Sequence, residues 1–272
     1  MDHGLWLIVL GLVLGAFGTL IGAGGGFVLV PVLLLLYPQA TPETITAISL
    51  AVVFFNALSG SWAYGRMRYI DYRSGLLFAA AAVPGAVLGA LTTDYIPRRW
   101  FNAAFGLLMT AAAVYLFFYR ISESRSSLQA DGQTPAERRI KKNSSGHTIS
   151  YSRKLGMGLS LVVGYVSSLL GIGGGIIHVP ALVRLLHFPV HVATATSHFI
   201  LVFMALTGTI VHIATGSFSQ GGVRRTICLS IGVLIGAQVG AAISARVHGK
   251  WILRILAIAL AFVSIRLLVM AW

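Results

Sequence analysis

Gly24, Gly25 and Gly26 are followed by Pro31, and Gly173, Gly174 and Gly175 by Pro180. Each string lies inside a long apolar run, where such residues are costly. A glycine costs about 1 kcal/mol relative to Ala within a helix, and a proline removes a backbone donor. The chemistry on offer is that of bare backbone. N–H groups at a helix start carry the positive end of its dipole and bind anions. Without a Cβ, a ligand can approach them closely. The alternative is that these glycines only let helices pack closely, as other small-residue patterns do.

Uncharged and titratable donors accompany the strings. Ser49 and Asn56 lie in the apolar run after the first string, and Ser197 and His198 in the run after the second. His178 follows the second glycine triplet by three residues, and Gln238 sits between Gly236 and Gly240. Hydroxyls and amides donate to an oxyanion without bearing charge, which permits release as well as binding. Imidazole can also carry a proton near neutral pH. The plainer reading is that these groups bond neighbouring helices, and Gly85/Gly89 and Gly236/Gly240, spaced by four, read as packing glycines. His212, near the end of its run, reads as interfacial.

All seven acidic residues, Asp2, Glu43, Asp71, Asp94, Glu123, Asp131 and Glu137, fall in links or termini. A cation carrier or a carboxylate proton relay places one within the membrane, so the ligand expected is a small anion. No metal-ligand cluster, nucleophile–base pair or cofactor motif stands out, and no enzyme is expected. The glycine strings lack the Lys-Ser/Thr of a phosphate-binding loop and do not follow a strand.

The elements that position these residues are membrane helices. The chain has 57% hydrophobic and 10% charged residues, where soluble domains carry about 25% charged. The net charge of +13 resides in links between apolar runs, where it orients helices and meets lipid headgroups rather than nucleic acid. A single cysteine, Cys228, excludes an intrachain disulfide. The first run, Gly4 to Leu36, is too long for one crossing of a core about 30 Å thick. It divides at the glycines into arms Leu5–Ile21 and Phe27–Leu36. Further runs are expected near Thr44–Tyr64, Ser74–Leu91, Arg99–Tyr119, Leu155–Leu186 (broken at its glycines), Val192–Ala214, Val223–Ala245 and Trp251–Val269. Tyr64, Tyr69, Trp100, Tyr119 and Trp251 read as an interfacial aromatic belt.

Three parts follow: a membrane repeat at 1–119, a flexible basic linker at 120–153 and a second repeat at 154–272. The repeats match at Gly15/Gly164, Pro31/Pro180, Thr46–Ser49/Thr194–Ser197, Gly60/Gly208 and Trp100/Trp251, at an offset of 148 to 151 residues. Internal repeats are the architecture of secondary transporters. With the linker placed in the cytoplasm, parallel repeats leave five Lys/Arg inside and six outside, whereas inverted repeats leave seven inside and four outside. The positive-inside rule favours inversion.

The doubled Gly-x-Gly-Gly-Gly-x-x-x-x-Pro, the eight-segment layout and the basic central linker resemble the sulfite exporter TauE/SafE family of membrane permeases. That resemblance covers nearly the whole chain. It implies transport of small anions, often sulfur-containing, such as sulfite or organosulfonates.

The expectation is an all-α polytopic bundle of two four-segment repeats, each opening with a Gly-broken helix, in the cell membrane. Gly24–Gly26, Gly173–Gly175, Ser49, Asn56, His178, Ser197 and His198 would line the substrate site, with Pro31 and Pro180 structural. An anion channel or a non-transporting membrane scaffold are the rival readings, and a homo-oligomer is compatible with each.

Overall fold

The computed structural model describes residues 4–117, 153–218, 221–244, 246, 258, 261 and 262. The linker and most of the run at 251–269 lie outside the described residues. Among the described residues the regular structure is helix, with no strand.

The first long run forms α1 (Gly4–Ile21) and α2 (Gly26–Leu36), parted at the glycines. At 1.5 Å per residue α1 is about 27 Å long, enough to cross a bilayer core, and α2 about 16 Å, roughly half of one. Next come α3 (Pro42–Arg66), α4 (Tyr72–Thr93) and α5 (Arg98–Phe117). The second half repeats the order: α6 (Arg153–Leu170), the short α7 (Gly175–Arg184), α8 (Val190–Ala214) and α9 (Gly222–Ser244). Pro31 and Pro180 each stand at the sixth residue of the short helix, α2 or α7.

Local chemistry sets the helix starts. Thr41 caps α3 by accepting from the Thr44 N–H, with Pro42 at the first helical position. Asp71 caps α4, accepting from the Ser74 N–H at 3.3 Å and the Ser74 hydroxyl at 2.9 Å. At the far end of α2, Arg98 donates to the carbonyls of Leu34 (3.2 Å), Ala40 (3.0 Å) and Pro38. It thereby serves acceptors that a helix C-terminus leaves open.

Packing exchanges elements between the halves. Helix α1 lies along α9, and α4 along α6, while α3 and α8 pair at the centre. The first two contacts run through glycine grooves. Gly232, Gly236 and Gly240 of α9 abut the backbone of Ile8, Leu12 and Ala16, and Gly11 and Gly15 abut Leu229 and Val233. On the other side Gly85 and Gly89 abut Leu161 and Tyr165, and Gly164 abuts Ala82. A side chain at any of these positions would meet backbone, so the packing reading of the four-spaced glycines holds.

Helix α3 is the most enclosed, buried continuously from Thr44 to Val53. The apolar core gathers Leu14, Ile21, Phe27, Leu33, Ile45, Phe105, Ile172, Ile176 and Leu229. Large apolar side chains such as Leu5, Val13, Leu107, Ile210 and Ile235 face outward, as a lipid-facing surface requires. Five of the described helices, α1, α3, α4, α8 and α9, are long and apolar enough to cross a membrane.

Candidate functional site

After Ile21 the chain leaves helical geometry, and the N–H groups of Gly22, Ala23 and Gly24 turn back onto the Gly18 carbonyl at 3.0, 2.9 and 3.2 Å. Gly25, with φ of 80°, then caps α2. The second break ends with Gly174, at φ of 86°, capping α7. A side chain at that φ is strained, so these two positions call for glycine. Neither cap uses a side chain. The N–H groups of Gly25, Gly26 and Phe27, and those of Gly174, Gly175 and Ile176, make no hydrogen bond among the described residues. Each break is therefore a buried helix N-terminus with donors to spare.

The two breaks touch. A Cβ on Gly26 would stand 2.7 Å from the Gly171 carbonyl oxygen, and one on Gly175 would stand 2.5 Å from the Ala23 Cα. Val53 and Leu201 cover the junction: a Cβ on Gly24 would lie 2.6 Å from Leu201 Cδ2, and one on Gly173 2.6 Å from Val53 Cγ1.

Central serines tie each half to the other's break. Ser49 of α3 donates to the Gly171 carbonyl at 2.6 Å, and Ser197 of α8 donates to the Gly22 carbonyl at 3.2 Å. Thr46 lies against Gly171 and Thr194 against Gly22. Both threonine hydroxyls are buried without a partner.

A polar cluster adjoins the first break. Thr19 donates to Asn56 Oδ1 at 3.0 Å, and its hydroxyl oxygen lies 3.2 Å from His198 Nε2. Since the Thr19 proton goes to an acceptor-only oxygen, His198 Nε2 must be the donor to Thr19. The Tyr64 hydroxyl donates to the Thr19 carbonyl at 2.7 Å, and its ring stands edge-on to His198. This corrects the sequence expectation for Tyr64. It is 1% exposed and belongs to the interior rather than the aromatic belt. The counterparts of Asn56 and His198 in the other half of the alignment are Met204 and Leu50, so the cluster occurs on one side only.

The remaining candidates are dispersed. His178 of α7 pairs through Nε2 with Ser160 of α6 at 3.2 Å, away from this cluster. His212, in the last turn of α8, is wholly buried and pairs with Ser217 just beyond that helix at 3.2 Å. Gln238 donates to the Ser59 carbonyl and hydroxyl, both at 2.8 Å, and so joins α9 to α3. A groove of about 720 Å³ between α3, α8 and α9, lined by Leu58, Trp62, Arg66, Phe199 and Phe203, excludes both breaks. Among the described residues no three His, Cys, Asp or Glu side chains gather as a metal site.

Sequence reasoning missed Thr19, Val53, Ser167 and Leu201. Register between the halves pairs Val53 with Leu201 and would have found those two. Nothing in the type or spacing of Thr19 sets it apart from other helix threonines.

Comparison with known proteins follows the same outline. The family model described as "Sulfite exporter TauE/SafE" matches residues 7–267. A probable membrane transporter protein, YunE, of Bacillus subtilis (strain 168) is 33% identical, covering 96% of each chain. A probable membrane transporter protein of Methanocaldococcus jannaschii is 23% identical over 90% of this chain and 87% of its own. No solved structure gives a significant match. With apolar spanning helices, doubled glycine breaks and a match along almost its whole length, this chain belongs to the sulfite exporter TauE/SafE family of membrane transporters.

Proposed function

We propose that this transporter moves a small, sulfur-containing anion such as sulfite or an organosulfonate across the cell membrane, holding it where the two glycine breaks meet. One observation carries the reading: six backbone N–H groups at the facing starts of α2 and α7 lack partners in a buried setting. An unpaired buried donor is costly, and an oxyanion satisfies several at once. The placement of all seven carboxylates outside the apolar runs agrees with it.

The burial of both glycine strings, with Val53 and Leu201 packed over their junction, favours a carrier over an open channel. The reciprocal bonds from Ser49 and Ser197 support a two-fold pairing of the repeats around one site, and the positive-inside rule favours opposite sense. Alternating access then consists of one half rocking against the other. The basic linker is placed on the cytoplasmic side by the positive-inside rule.

Uptake into proteoliposomes tests this. Purified protein should take up radiolabelled sulfite, sulfate, thiosulfate or sulfoacetate with saturation and counterflow. Linear, non-saturating flux would point to a channel, and no flux of any of these anions would sink the proposal.

A further inference from the structure

The two breaks correspond in sequence, yet they do not offer an anion the same surroundings. At the first break the Gly18 carbonyl collects three N–H groups, including that of Gly24. At the second, the carbonyl of Ser167, the residue matching Gly18, collects the Ile172 N–H at 3.0 Å, while the Gly173 N–H stays without a partner among the described residues.

Side chains deepen the difference. Ser167 is 1% exposed, and its hydroxyl has no hydrogen-bond partner. It lies at the start of α7, where a Cβ on Gly174 would come within 2.6 Å of Ser167 Oγ. No side chain fits at the matching position, because a Cβ on Gly18 would meet the Gly25 Cα at 2.6 Å. What closes over each cap differs too. Above Gly25 stands a backbone carbonyl, that of Leu14, which repels an anion. Above Gly174 stand the ends of two side chains, Ser167 Oγ and Met204 Cε. Those can rotate away, and the hydroxyl can donate.

We infer that the anion is held at the second break rather than shared equally between the two, with the Ser167 hydroxyl donating beside the N–H groups of Gly173, Gly174, Gly175 and Ile176. Met204 is its movable cover. This rests on the anion-transport reading above, and it adds a side-chain donor and a one-sided site to it.

The test is equilibrium titration of full-length protein in detergent with sulfite, sulfate, thiosulfate and sulfoacetate, followed by tryptophan fluorescence. Ser167→Gly installs the residue the first half carries, and Ser167→Ala keeps the Cβ and helix propensity, so at least one variant stays folded. Loss of a hydrogen bond to a charged group should weaken the tightest-binding anion by about ten-fold or more in both. Ser168→Ala is the control. Its hydroxyl lies beside Gly208, away from the break, and its affinity should match the wild type. Ser167→Ala binding within about two-fold of wild type, or an equal loss in Ser168→Ala, overturns the one-sided site and leaves the anion reading standing. Wild-type protein that binds none of the four overturns both.

Discussion

The Ser49 hydroxyl donates to the Gly171 carbonyl across 2.6 Å, fastening the central helix of one half to the broken segment of the other. Its counterpart, Ser197, does the same for Gly22 at 3.2 Å. Both carbonyls lie where helical bonding has stopped, so each serine supplies a proton that the backbone no longer provides. These side chains hold the shape of the breaks.

Ser49→Ala should therefore destabilise the protein by about 1–3 kcal/mol, the cost of a buried carbonyl losing its donor. Ser197→Ala should act in the same direction, less strongly given its longer bond. Thermal melting in detergent without any anion reads this directly. Melting temperatures equal to wild type in both variants would contradict the role.

Gly25→Val should abolish uptake. Its φ of 80° is costly for a β-branched residue, about 1–3 kcal/mol, and the added Cβ would stand 2.9 Å from the Leu14 carbonyl oxygen. Gly25→Ala carries the same backbone strain with less bulk and should keep partial flux. Proteoliposome uptake by Gly25→Val at the wild-type rate would rule out a rigid requirement for this break.

Gly236→Val addresses packing rather than recognition. A Cβ there would lie 2.8 Å from the Ala16 amide nitrogen, forcing α1 and α9 apart. The expected result is loss of monodisperse protein on size-exclusion chromatography. Ile235→Ala, one residue away but facing outward at 54% exposure, should elute normally.

His198→Leu places in the second half the residue that the first half carries at Leu50. It removes the donor to Thr19 while leaving the Thr19–Asn56 bond in place. Uptake should fall while the protein stays folded. Tyr64→Phe keeps the ring beside His198 and removes one buried hydrogen bond, a stability loss of about 1 kcal/mol. Comparing melting with flux for the pair separates the histidine from the scaffold around it.

The breaks were legible because glycine and proline state a backbone requirement locally. The arms expected at Leu5–Ile21 and Phe27–Leu36 appear as Gly4–Ile21 and Gly26–Leu36. Register between the halves paired Ser49 with Ser197, but not with the Gly171 and Gly22 carbonyls to which they donate. Tyr64 was misplaced because position near a helix end says little about lipid exposure when a neighbouring helix, here α1, packs over it. Ser167 escaped notice since a serine one turn before a glycine string looks like any other. Its meaning comes from an unpaired hydroxyl, which only three-dimensional contacts reveal.

The exchange of partners between halves also has a consequence for biosynthesis. Helix α1 leaves the ribosome well before α9, yet the groove that receives it is cut by Gly232, Gly236 and Gly240 of α9. Until that segment has entered the bilayer, Gly11 and Gly15 face lipid or a chaperone instead of backbone. Assembly is thus gated by synthesis of α9, and a chain truncated after its first half leaves α1 without a mate.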